Sequence, residues 1–226
     1  MRYIWMGILM LWAAVGQAQL DSSVWLTKNF KFEDGLFMSY TDFQSNSPAY
    51  LWEELQATIY TNPQTFMTQV QSIRLKKDSS LIDLSTVWGL SLGGIPYIRL
   101  PRHSTDKQLT VFAGMRLRGK ICYYRYSRKE SKKVKMPVYN PLTGHPYQTT
   151  YVDREEEVII EKMLDFESGQ EADLTVANLK EWVADDPQLL EAIDEVGTEE
   201  LQSKLFKCLL IYDDRHLVRI KVANKL

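Results

Sequence analysis

The chain has 226 residues, is 45% hydrophobic and carries a formal net charge of −2. That apolar content is ample for a packed core, and the size suits one cooperative domain. Near-neutrality argues against a role built on wholesale binding of polyanions.

At the start, Arg2 is followed by an apolar run from Tyr3 to Val15 and by Gly16-Gln17-Ala18, a small-x-small arrangement. This is the pattern of a secretory signal peptide. The run is too short for a permanent membrane helix, which needs about 20 apolar residues, and no later segment offers another candidate. No cysteine stands near the expected cut to carry a lipid anchor. The expectation is a signal peptide over 1–18 and a single α+β domain over 19–226. The mature chain is then exported, periplasmic or extracellular, and soluble with no membrane span.

Within that domain, Leu36 to Ser39 reads as a short strand, followed by a turn or one helical turn from about Thr41 that Pro48 closes. Ala49 to Tyr60 fits two readings, because Leu51, Leu55 and Ile59 repeat at helical spacing while its aromatic and β-branched residues suit a strand. Phe66 to Leu75 alternates as a strand does, between Asn62-Pro63 and a polar stretch from Lys76 to Ser80.

Val87 to Tyr126 predicts two consecutive β-hairpins around which the rest is organised. In the second, Gly119-Lys120 suits a two-residue type II′ turn. Counting outward from it pairs Arg118 with Ile121, Leu117 with Cys122, Met115 with Tyr124 and Ala113 with Tyr126. One face of this hairpin is then apolar. The other carries Arg116, Arg118, Tyr123 and Arg125 and is expected to meet water.

Beyond it, Ser127 to Lys135 reads as a loop or a strand extension. It leads to an exposed ribbon in which Val134 to Tyr139 and Tyr147 to Val152 flank the turn cluster from Asn140 to Pro146. Glu157 to Phe166 is a further strand, turned by Glu167 to Gly169. From Thr175 the apolar period becomes helical, with a stripe of Val176, Leu179, Trp182 and Val183. Asp186 caps a second helix with Pro187 at its first position, and Thr198 caps a third with Glu199 and Glu200 in the first turn. Leu201, Leu205, Cys208, Leu209 and Tyr212 form the apolar stripe of that last helix. The fold class expected is α+β: a mostly antiparallel sheet of consecutive hairpins, β-rich over 34–166, with about three helices over 175–213 packed on it.

Cys122 falls on the apolar side of its hairpin and Cys208 in the helical stripe, so both are expected in the interior and on facing surfaces. Whether they form a disulfide stays open, because periodicity does not fix the distance a bridge requires. Charge is distributed unevenly, with bases concentrated from Arg116 to Lys135 and acids from Asp153 to Glu200. The simplest account is two solvated faces attracting each other across the fold.

The phrases DGLFMSYTDFQSNSP, VWGLSLGGIPYIRL, RGKICYY, MLDFESG and ADDPQLLEAI, in that order along the chain, resemble a group of uncharacterised secreted proteins of Bacteroidetes-type bacteria. The resemblance implies a compartment rather than a chemistry and brings no site residues with it.

Chemical signals are few. Gly89-Leu90-Ser91-Leu92-Gly93 is a literal G-x-S-x-G, with Asp213 and His216 following in the order of an α/β-hydrolase triad. That motif needs a helix after the serine, which Gly94, Pro96 and Pro101 oppose, so a strand serine before a Gly-Gly turn is the better reading. His103, His145 and His216 have no paired spacing for a metal. Asp213, Asp214 and His216 are more simply a frayed helix end, with Arg215 among them. The basic, tyrosine-rich stretch with Tyr123, Tyr124 and Tyr126 has the make-up of a nucleic-acid face, but export argues against that partner and favours anionic groups of the cell envelope.

No catalytic, cofactor-binding or metal-ligating residues are assigned. The leading expectation is a non-catalytic envelope or secreted module binding a protein or glycan, with the ribbon and its Tyr139, Tyr147 and Tyr151 as the contact. The alternative is a hydrolase acting outside the cytoplasm, its acids drawn from separate strands. Secretion is expected to remove the leader after Ala18. N-terminal sequencing of exported protein that begins at Gln19 supports this, and a retained Met1 refutes it.

Overall fold

The computed structural model describes residues 22–101, 109–195 and 201–222. The leader, His103 and the Thr198 cap with Glu199 and Glu200 lie outside them. In chain order the elements are β1 (Ser22–Leu26), β2 (Gly35–Phe37), α1 (Tyr40–Gln44) and β3 (Tyr50–Leu51), then a 3-10 turn (Trp52–Glu54), β4 (Leu55–Asn62), β5 (Met67–Leu75), β6 (Gly89–Leu92) and β7 (Ile95–Arg99). They continue with β8 (Thr110–Leu117), β9 (Ile121–Tyr139), β10 (Pro146–Asp165), β11 (Glu171–Asp173), α2 (Val176–Trp182), α3 (Pro187–Asp194), α4 (Leu201–Arg215) and β12 (Val218–Val222). The fold is the α+β arrangement expected, an antiparallel sheet followed by three helices. No helix among the described residues is long and apolar enough to cross a membrane.

The large sheet runs β11-β10-β9-β8-β7-β6-β2-β3, with β5 joined to β8 and β4 to β5. The segment that fitted both helix and strand is therefore mostly β4, paired with β5 from Leu55↔Leu75 to Asn62↔Met67. A bulge beside Thr58 and Ile59 resets the alternation of β5, so that Val70 and Ile73 are both buried. A second, two-stranded sheet pairs β1 with β12, neither of which the sequence pattern announced.

Strand β8 is the hub. One edge of it bonds β7 through Phe112 to Gly114. The other is shared, with β5 along Thr110 to Ala113 and β9 at Met115 and Leu117. At the handover the Gly114 N–H donates to the Phe66 carbonyl at 2.7 Å, and the Arg116 guanidinium lies 4.6 Å over the Phe66 ring. A Cβ at Gly114 would stand 2.9 Å from the Tyr97 ring and 3.1 Å from that carbonyl, so glycine is required by close approach.

This handover corrects the expected register. Met115 does pair with Tyr124, but a bulge then sets Leu117 opposite Tyr123 rather than Cys122. Ala113 pairs with Met67 and Ile98 instead of Tyr126. Two residues of β8 against one of β9 turn Leu117 to the opposite face.

Both faces of the hairpin are consequently covered, and the face assigned to water is not free. On one side Ala113, Met115, Cys122, Tyr124 and Leu164 pack with Phe37, Phe43, Leu26 and Ile220. On the other Leu117, Ile121, Tyr123 and Met163 pack under Leu179, Leu189, Leu205 and Leu209 of the three helices. A third cluster, including Leu36, Val70, Ile73, Leu90 and Phe112, lies at the β2, β5, β6 and β8 end. Burying a side chain of this size stabilises by about 1.5–3 kcal/mol, which explains why the central strands are apolar on both faces.

The Gly119-Lys120 turn also differs from the type II′ expectation, since Gly119 does not occupy the left-handed region. Its missing side chain serves packing instead. A Cβ there would fall 2.3 Å from Oδ2 of Asp213 on α4. Gly119→Ala is expected to destabilise the fold by about 1–3 kcal/mol, the usual cost of overpacking. An unchanged midpoint in urea denaturation would refute the close contact.

Candidate functional site

The G-x-S-x-G stretch forms β6 and its turn into β7. Gly93 and Gly94 have φ of 62° and 78°, as a two-residue type I′ hairpin turn requires, and a strand follows instead of a helix. Ser91 is fully buried and donates from Oγ to Asp34 Oδ1 at 3.0 Å. The same carboxylate accepts the N–H groups of Gly93 at 3.0 Å and Gly94 at 2.8 Å. Ser91 is therefore a structural donor tied to an acceptor, with no histidine among the described partners of its hydroxyl.

The letters Asp213, Asp214, Arg215 and His216 diverge. Asp213 points from α4 under the Gly119-Lys120 turn, where Oδ1 accepts the Ile121 N–H at 2.9 Å and Oδ2 is buried without a partner. Arg215 donates to Asp186 Oδ2 at 2.6 Å, the residue whose Oδ1 caps α3 by accepting from Leu189 N. His216 stacks on Tyr212 with ring centroids 4.2 Å apart. Its Nδ1 lies 3.7 Å from Asp185 Oδ2. Among the described residues no group of three or more His, Cys, Asp or Glu is placed to hold a metal ion.

What these residues do form is a chain of polar contacts between hairpin and helices. Lys120 Nζ donates to the Tyr212 hydroxyl at 2.9 Å, which donates to Asp185 Oδ1 at 2.9 Å. The Tyr212 oxygen holds the Lys120 ammonium above its usual pKa. Burial works against ionising Asp185, but the Tyr212 hydroxyl, Lys120 and His216 outweigh it and keep the carboxyl below its usual range. Each charge is compensated within the chain, so the arrangement serves as a latch. Sequence reasoning passed over Lys120, Tyr212 and Asp185; the readable signal was the Lys in the tightest turn, facing an Asp-Asp-Pro helix start.

Cys122 and Cys208 are both buried and both free. They do not lie on facing surfaces: Cys122 belongs to the cluster with Phe43 and Leu26, Cys208 to the one beneath the helices. The sheet stands between them because the last helix covers the face opposite to the one expected. Burial pushes the Cys122 thiol up to about 12, leaving it unreactive as a nucleophile. Tyr123 and Tyr124 are buried as well, so they supply no stacking platform.

The ribbon is the remaining candidate. β9 and β10 pair without interruption from Asp165↔Ile121 to Gln148↔Val138, merging the ribbon and the Glu157 strand that the sequence pattern kept apart. Past Tyr124, β9 has only β10 as a strand partner among the described residues, which leaves 126–139 to reach about 45 Å at strand rise. Basic β9 lies directly on acidic β10, with Lys133 opposite Asp153 and Lys129 opposite Glu157, and with Lys129 to Glu155 at 3.7 Å. Toward its tip Tyr139, Tyr147 and Tyr151 are exposed by 57–66%, and Lys135 Nζ stands over the Tyr151 ring. Comparison with known protein families, curated proteins and solved structures finds no match.

Burial raises the Asp213 carboxyl from 3.8 to about 7. The folded state therefore holds a proton that the unfolded chain releases near pH 4. The stability this proton confers is full at low pH and is lost as pH rises toward 7. Asp213→Asn retains an acceptor for the Ile121 N–H and does not titrate. The variant is expected to gain stability relative to wild type between pH 5 and pH 8, by a few kcal/mol. Parallel pH dependence of the two proteins in chemical denaturation would show that Asp213 is ionised throughout.

Proposed function

We propose that the chain is a non-catalytic binding module of the cell envelope or secreted fraction, engaging a protein or glycan through the β9–β10 ribbon. The observation that carries this reading is the ribbon itself. A fold that buries three hydrophobic clusters leaves Met136, Tyr139, Tyr147, Tyr151 and Val152 in water on one projecting element. Exposed tyrosines suit recognition because they offer a rigid ring and a polar tip at little entropic cost.

Alternation sorts the distal ribbon into two surfaces. Tyr151 and Thr149 share one with Lys135 and Pro137; Val152 and Thr150 share the other with Val134 and Met136, and the irregularity at Tyr147 ends the alternation before the tip. Among the described residues neither outer strand edge there is paired, and lysines and glutamates protect such edges from indiscriminate pairing. The leader of the sequence supports action outside the cytoplasm, and the internally paired charge of the ribbon does not suit a nucleic-acid partner. The polar groups of the alternative, a hydrolase, are engaged in capping and latching.

Replacing 134–152 by a short Gly-Ser linker is expected to leave the thermal midpoint almost unaltered, because among the described residues its two strands pair with each other and its side chains belong to none of the three clusters. The same variant is expected to lose capture of partner from an envelope fraction. Equal capture by both proteins would remove the ribbon from recognition, and a collapsed midpoint would make it part of the core.

A further inference from the structure

Because β5 and β9 both run antiparallel to β8 along one edge, the β4–β5 hairpin and the ribbon leave that edge in the same direction. They diverge, and a cleft of about 860 Å³ opens between them at the ribbon's root. Clefts that hold small ligands measure about 300–1,000 Å³.

The two walls carry matching chemistry. Tyr60 and Gln69 stand on the hairpin side, Tyr126 and Ser127 on the ribbon side, over a small apolar floor that includes Met67 and Val111. Tyr60 is 58% exposed. The Tyr126 ring is braced by stacking on Tyr124 at 6.4 Å, so its orientation is set from the core. Asn62, Thr65 and Ser131 add amide and hydroxyl groups.

Charge narrows the ligand. The cations of the lining are already matched, Arg128 to Glu130 and Lys129 to Glu155, and Glu157 stands beside them. No excess positive charge attracts an anion. Phenol rings with neutral hydrogen-bonding groups suit a ligand that presents flat apolar faces between many hydroxyls. Apolar peptide side chains would leave the amide and hydroxyl groups of the walls without partners.

We propose that this cleft binds an uncharged oligosaccharide, laid between Tyr60 and Tyr126. The proposal rests on the reading of the chain as a binding module, but it uses a surface at the root of the ribbon rather than the tip. It divides the element into a sugar-binding base and a partner-binding end.

The test titrates the full mature chain calorimetrically with cellohexaose, xylohexaose and mannohexaose, with hexagalacturonate as the acidic arm and a neutral strand-forming hexapeptide as the peptide arm. Tyr60→Ala and Gln69→Ala change exposed residues, and their thermal midpoints are checked first. Glu191→Ala, an exposed residue of α3 away from cleft and ribbon, is the control, and Tyr151→Ala reports on the distal ribbon. At least one neutral hexasaccharide is expected to bind, with affinity about tenfold weaker in Tyr60→Ala and unchanged in Glu191→Ala. No binding by any neutral sugar, preference for hexagalacturonate or the peptide, or equal affinity in wild type and both cleft variants would overturn the proposal. Sugar binding lost only in Tyr151→Ala would overturn the cleft while keeping a ribbon-binding module. If sugars fail but the ribbon-replaced chain alone loses its envelope partner, the function proposed above stands and the cleft does not.

Discussion

One strand edge serving two strands is the constraint from which the architecture follows. The β8 edge gives its first half to β5 and its second half to β9. A sheet cannot continue flat through such a point, since strands of one layer need about 4.8 Å of separate room. The bulge at the handover and the close approach at Gly114 resolve the conflict by sending the two hairpins apart. From that branch come the turning of Leu117 toward the helices, the freedom of the ribbon and the cleft at its root.

Much of the element order was legible, because it rests on local signals. The Gly93-Gly94 turn, the Asp186 cap and the Leu205 to Tyr212 stripe each declare themselves within a few residues. The register of the second hairpin was not legible. A bulge is specified by the groups that meet it, here the carbonyl and the ring of Phe66 from a distant position, and nothing near Gly119 reports them. The assignment of one hairpin face to water failed for a related reason. Arg116 and Arg118 mark that face as polar, yet past the bulge Arg118 turns away to donate to the Gly94 and Lys28 carbonyls, while Leu117, Ile121 and Tyr123 form a surface that the helices cover.

The site was legible to a lesser degree. Exposure of Tyr139, Tyr147 and Tyr151 could be read from turn residues and charges around them, but Asp34 holding Ser91 and the β6–β7 turn could not. Carboxylates that organise turns look the same in sequence as carboxylates that do chemistry. Asp34, Asp186 and Asp213 each give at least one oxygen to a backbone N–H group, which is a common use of acid in a fold rich in turns. The lopsided charge proved to be local as well: basic β9 and acidic β10 neutralise each other strand against strand.

The pairing of β1 with β12, from Ser22↔Val222 to Leu26↔Val218, joins the first and last strands described. Leu26, Val218 and Ile220 close one side of the cluster around Phe43 and Met115, so that cluster stays open to water until β12 has docked. Contacts between such distant positions form late and slowly, because the intervening loop must first be closed. A chain in which β12 has not yet docked keeps an uncovered apolar surface on that side. Pairing of β12 with β1 thus sets the moment at which this cluster is closed to water.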